Sequence, residues 1–178
     1  GTDAFNGCSS LANIIIPDTV TEINSNAFSN CTSLSEIKIG NGVKTIGSSA
    51  FNNCISLKRL DIPDSVTSLG ESLCTPNTWS NGTCDSLKIV TIGNGVKSIP
   101  ESAFTGCKSL QKVVIGNKAT VIGSSAFSNC KSLKEISLPE SLVTIGQSAF
   151  QGCTGLSNID IPENLVTIGQ YAFSQCTG

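Results

Sequence analysis

Nine cysteines are the residues of this 178-residue chain with the most evident chemistry, since thiols can pair, ligate a metal or act as nucleophiles. Eight of them recur in one phase: Cys8, Cys31, Cys54, Cys84, Cys107, Cys130, Cys153 and Cys176. The step is 23 residues everywhere except from Cys54 to Cys84, where it is 30, so one seven-residue insertion interrupts a strict register. One cysteine per unit stacks into a column with neighbours one strand spacing apart, ~4.8 Å, and such small apolar thiols pack well in a core. Zinc is disfavoured: the chain has no histidine, no Cys-x-x-Cys pair and no four-ligand cluster. Cys74 is the exception. It lies outside the column and opens the segment that closes at Cys84, so a Cys74–Cys84 disulfide would staple the insertion in an oxidising compartment. The alternative is a free thiol in the place a phenylalanine occupies in other units.

Other catalytic patterns dissolve into the repeat. Ser109 and Lys112 fit Ser-x-x-Lys, but Ser109 belongs to a Cys-x-Ser-Leu phase seen again at Ser33, Ser56, Ser86 and Ser132. Gly40-Asn41-Gly42 and Gly93-Asn94-Gly95 lack the third glycine and the following helix of a phosphate loop. Asp61, Asp64, Asp160 and Glu163 could supply paired carboxylates, but no surrounding cleft to exclude water is evident, and the commonest general base, histidine, is missing. The reading is non-enzymatic, and no cofactor is implied.

The unit that positions these residues reads Leu34, Ile37, Ile39, Val43, Ile46, Ala50, Phe51 after Cys31, and Leu110, Val113, Ile115, Ala119, Ile122, Ala126, Phe127 after Cys107. Leu-x-x-Ile-x-Ile alternates at period 2, the mark of a short strand with one buried face. A turn follows in two spellings, Pro63-Asp64-Ser65 or Gly40-Asn41-Gly42. The Gly-x-x-Ala-Phe-x-x-Cys stretch is too short for an independent helix and is expected to form a single helical or 3₁₀ turn. A fixed period of this length means a solenoid, each unit burying its apolar face against the next. The whole of 1–178 is then one repeat array with an insertion loop at 74–84. It begins and stops in mid-repeat, as a fragment of a longer array would.

The spacing Leu-x-x-Ile-x-Ile-Pro-x-x-Val-x-x-Ile-Gly-x-x-Ala-Phe-x-x-Cys, as in Leu133 to Cys153, resembles the BspA-like class of leucine-rich repeats over essentially the whole chain. The resemblance implies a curved right-handed α/β superhelix with a parallel sheet on its concave side and short helical turns. It also implies a secreted or cell-surface adhesion protein that recognises a host protein or matrix component. Two alternatives stay open, an intracellular interaction scaffold and a glycan-binding repeat protein.

Charge narrows the partners. Charged residues are 13% and the net charge is −2, well under the usual share of about 25%, so neither nucleic acid nor an anionic membrane is an expected partner. On the outward strand columns, phase sets Glu36 beside Arg59, Lys38 beside Asp61 and Lys112 beside Glu135, as cross-strand ion pairs. Ile89, Thr91 and Val114 depart from that pattern near the insertion, which carries Trp79, the one tryptophan, and a glycosylation acceptor at Asn81-Gly82-Thr83. Exposed β-branched residues suit strands anyway, and Trp79 could instead cover the core. The binding reading takes Ile89, Thr91, Val114 and Trp79 as one contact surface.

Overall fold

The computed structural model describes residues 1–75 and 83–178. Six of the seven Leu-x-x-Ile-x-Ile-like segments supply one strand each of a longer-stranded column: β1 (Asn13–Ile15), β3 (Glu36–Lys38), β5 (Arg59–Ile62), β7 (Ile89–Ile92), β9 (Lys112–Ile115) and β11 (Glu135–Ser137); the last, from Leu156 to Ile161, forms no strand. The apolar pair after the turn forms a second column of two-residue strands: β2 (Glu22–Ile23), β4 (Thr45–Ile46), β6 (Ser68–Leu69), β8 (Ser98–Ile99), β10 (Val121–Ile122), β12 (Thr144–Ile145) and β13 (Thr167–Ile168). All pairing is parallel and in register by repeat phase. The molecule is a parallel β-solenoid whose core runs along its axis between the two columns. Period-2 burial is plain in β5 and β9, where Leu60, Ile62, Val113 and Ile115 point inward.

Each column is split once, and at a different joint. The longer strands form β1–β3 and then β5–β7–β9–β11, while the short ones form β2–β4–β6 and then β8–β10–β12–β13. The β5–β7 ladder stays whole past the insertion, with four residues in register from Arg59↔Ile89 to Ile62↔Ile92, whereas the short column parts where Pro100, which has no amide hydrogen, takes the phase of Gly70 and Gly123, whose amides donate to Ile46 O and Ile99 O.

The helical turns expected between Ala-Phe and Cys are not what forms; among the described residues there is no helix. The segment is instead a run of consecutive turns in which amides alternate between two destinations. Ala27 N and Cys31 N donate three residues back, to Asn24 O and Phe28 O at 3.2 Å each, whereas Phe28 N and Asn30 N donate to Ala50 O and Asn52 O of the next unit, both at 2.9 Å. The alternation needs left-handed residues, and Asn26 (φ 54°), Asn30 (φ 61°), Ser49 (φ 56°) and Asn53 (φ 56°) supply them. A helix would turn all these amides onto its own chain; the solenoid uses half of them to bind its units together.

Inside this wall the phenylalanines stack, with ring centroids 5.1 Å apart for Phe5–Phe28, 5.9 Å for Phe28–Phe51 and 5.5 Å for Phe104–Phe127. The stack resumes beyond Cys74, which sits at the same phase and donates its backbone amide to Ala103 O at 3.0 Å. Where units approach closely a side chain has no room: a Cβ on Gly47 would lie 2.4 Å from Ser25 N. The two turn spellings are equivalent because their central Asp or Asn does one job. Asp18 Oδ1 accepts from Asn41 N at 2.7 Å, Asp64 Oδ1 from Asn94 N at 2.7 Å, and Asn94 Oδ1 from Asn117 N at 2.9 Å.

Candidate functional site

The four-stranded sheet β5–β7–β9–β11 is the uninterrupted outward surface on which the expected contact residues fall. Strand alternation turns Ile89, Thr91 and Val114 away from the core, because Val90, Ile92 and Val113 between them point inward. Register then brings the three together. Ile89 lies between Arg59 and Lys112, and Thr91 lies between Asp61 and Val114, whose other neighbour is Ser137. All three are half-buried, so their neighbours already cover part of each side chain.

Two ion pairs frame this apolar patch. Arg59 Nε donates to Asp61 Oδ2 at 2.5 Å within β5, and Lys112 Nζ donates to Glu135 Oε2 at 2.7 Å across β9 and β11. The hydrogen bond and charge of Lys112 hold the Glu135 carboxyl below the usual carboxylate range, and the bond to Asp61 raises the Arg59 guanidinium. Both pairs are exposed and contribute little to stability; their effect is to fix charged groups at the border of an uncharged centre.

Of the three cross-strand pairs expected from phase, Lys112–Glu135 forms, and Glu36–Arg59 and Lys38–Asp61 do not. The reason is the split between β3 and β5: without a ladder there, the two strands part around a crevice of about 270 Å³ lined by Glu36, Ile37, Lys38, Ile39, Asp61, Ile62 and Pro63. Arg59, left without Glu36 in register, turns along its own strand to Asp61. Trp79 and Asn81 lie outside the described residues.

Six column cysteines are donors, all but Cys176 buried. Cys31, Cys54, Cys84, Cys130, Cys153 and Cys176 each direct Sγ to the carbonyl of residue 5, 28, 51, 104, 127 or 150, the phenylalanine of the preceding unit, at 3.1 to 3.2 Å. Those carbonyls also accept the turn amide of their own unit, as Phe28 O does from Cys31 N. Burial raises the thiols of Cys54, Cys84 and Cys130 and pushes Cys153 up to about 12. Such thiols are poor nucleophiles. Cys74 and Cys84 are free and fully buried, and burial followed by hydrogen-bond contact with the thiols of Cys107 and Cys84 raises the Cys74 thiol. Asp64, one of the paired-carboxylate candidates, is occupied by the Asn94 amide.

The sulfur-to-carbonyl bonds escaped the sequence reading, which saw the column only as packing; the one cue was the fixed three-residue offset from Phe to Cys.

The BspA type leucine-rich repeat region model matches residues 1–78 and 75–178, with six copies. No curated protein matches the chain. Among solved structures, a leucine-rich repeat protein from Eubacterium ventriosum is 32% identical with a TM-score of 0.83, over 92% of this chain and 42% of that one. A leucine-rich repeat protein from T. pallidum is 32% identical with a TM-score of 0.78, over 88% of this chain and 70% of that one. A third, from Bacteroides ovatus, is 32% identical with a TM-score of 0.71, over 96% of this chain and 48% of that one. The chain thus spans less than half the length of two of these three relatives. With family-model matches that together run from its first residue to its last, this chain belongs to the BspA-type leucine-rich repeat family.

Proposed function

We propose that this array is a non-enzymatic protein-binding module of a secreted or cell-surface protein, and that it contacts a host or matrix protein through the sheet β5–β7–β9–β11. Leucine-rich repeats generally serve as protein-interaction modules, and stacked units make an extended surface for one. The observation that carries the reading is the half-buried triangle of Ile89, Thr91 and Val114, set in a continuous sheet and bordered by the Arg59–Asp61 and Lys112–Glu135 pairs. An uncharged centre inside a charged rim is the arrangement of a protein interface. The reading takes Trp79 as an aromatic anchor and Asn81 as a glycosylation acceptor, both of them outside the described residues.

The test is attachment to host cells and to immobilised matrix proteins by the double variant Ile89→Asp with Val114→Asp and, separately, by Trp79→Ala, with circular dichroism confirming the fold. The sheet variant should lose attachment. Undiminished attachment by both folded variants would sink the proposal.

A further inference from the structure

The small net charge hides a strong asymmetry. Seven of the eleven basic residues fall in the five positions after a column cysteine, against three of the thirteen carboxylates; the remaining positions hold four basic residues and ten acidic ones. The basic positions lie on one edge of the solenoid, where the chain enters the strands of the longer column. Arg59 and Lys112 are held in the ion pairs already described. Five lysines remain: Lys58, Lys88, Lys108, Lys131 and Lys134. All five are exposed, and none has an ion-pair partner among the described residues.

Backbone bonds fix how these lysines line up. Lys88 N donates to Lys58 O at 2.9 Å, Gln111 N to Lys88 O at 2.9 Å, and Lys134 N to Gln111 O at 3.0 Å, so three lysines and one glutamine form a single file one residue ahead of β5, β7, β9 and β11. Beside that file, Ser132 N donates to Lys108 O at 3.2 Å, which stacks Lys131 next to Lys108. Four strands at ~4.8 Å spacing make the file roughly 14 Å long.

We propose that this edge binds a linear sulfated polysaccharide lying along the solenoid axis. The geometry favours it over other polyanions. The cations are lysines, flexible point charges suited to sulfates at irregular positions, whereas the planar fork that recognises phosphate is represented only by Arg59, already committed to Asp61. Single-stranded nucleic acid is held by aromatic platforms, and the phenylalanines of these units, Phe104 and Phe127, are stacked inside. For a bilayer the edge has charge but few apolar groups to insert, because Leu57, Leu87, Leu110 and Leu133, which lie between the lysines in sequence, are buried. This surface is separate from the apolar patch and does not depend on it.

The experiment measures binding of a fluorescent heparin octasaccharide to the whole chain as salt is varied, with an oligonucleotide, polyglutamate and phosphatidylserine vesicles as competitors. Heparin should bind at about 0.15 M salt, with log K falling linearly in log salt as counterions are released. Lys88→Gln, Lys108→Gln, Lys131→Gln and Lys134→Gln together should weaken binding by about tenfold or more and flatten that slope. The control, Lys44→Gln with Lys97→Gln and Lys118→Gln, removes three exposed lysines elsewhere and should leave binding nearly unchanged. The proposal is overturned if the wild-type chain fails to bind at that salt, if the control loses as much as the edge variant, or if any competitor displaces heparin at equal charge concentration.

Discussion

The sulfur of Cys54 lies 3.1 Å from the carbonyl oxygen of Phe28, twenty-six residues earlier, and donates its hydrogen there. The same bond joins successive units along most of the array, so the cysteine column links neighbours through hydrogen bonds between thiols and carbonyls. Cys54→Ala removes the donor and leaves a small void, while Phe28 O keeps its bond from Cys31 N. The expected loss is about 1–2 kcal/mol, read from the urea midpoint at unchanged slope. A variant as stable as the wild type would show that the column only fills space.

Alkaline pH should unfold the protein through the same thiols. Burial raises Cys54, Cys74, Cys84, Cys130 and Cys153 above their ordinary value of 9.0. Between the unfolded and the folded pKa the native state therefore holds protons that the unfolded chain releases, and stability falls as pH rises. Below about pH 8.5 the contribution is complete; above pH 9 each such thiol subtracts up to about 1.4 kcal/mol per pH unit. Urea denaturation under reductant at pH 8, 9, 10 and 10.5 checks this, and a flat profile across that range contradicts it.

Phe104 stacks on Phe127 on one side and borders Cys74 on the other, so its loss leaves a void that its neighbours are badly placed to fill. Phe104→Ala should cost about 3–5 kcal/mol. Because units contact only their neighbours, hydrogen exchange should accelerate first around residues 84–130 and later at the ends. Simultaneous loss of protection throughout would speak against a chain of locally coupled units.

Oxidation should join Cys74 to Cys84. Both thiols are fully buried, each shifts the other's pKa, and both flank the insertion. Closing a loop of this size stabilises by up to about 3 kcal/mol in the chain-entropy model. Peptide mapping without reductant, on protein from an oxidising host, should find this one bridge and seven unpaired thiols among the nine cysteines. A bridge from Cys74 to Cys107, or bridges between column cysteines, would refute the pairing.

How far the residues alone reveal this molecule varies by element. The longer strands were legible because alternation at Leu60, Ile62 and Leu110, Val113, Ile115 is a local signal. The wall was misread as a helical turn because Ala-Phe-x-x-Cys has helical spacing, while its conformation is set by left-handed residues. Asn30, Asn53 and Asn129 hint at those, but Ser49 and Ser125 do not. Contacts argued from phase assume that every joint is alike. That holds for Lys112 and Glu135 and fails for Arg59, because the β3–β5 joint lacks its ladder. The lysine edge escaped a whole-chain charge count because the acidic remainder of each unit cancels it.

The two splits in the sheets lie at adjacent joints and on different sheets. Where β3 and β5 part, β4 and β6 remain bonded at Thr45↔Ser68; where β6 and β8 part, β5 and β7 remain bonded at Arg59↔Ile89. At both joints the wall of turns also stays bonded, by Phe51 N to Leu73 O and by Cys74 N to Ala103 O, at 3.0 Å each. Each joint therefore gives up one of three bonded faces, and the face lost at one is kept at the next. At neither joint does a break in hydrogen bonding pass through the whole cross-section, so the irregular unit is carried by its neighbours on two sides at each end.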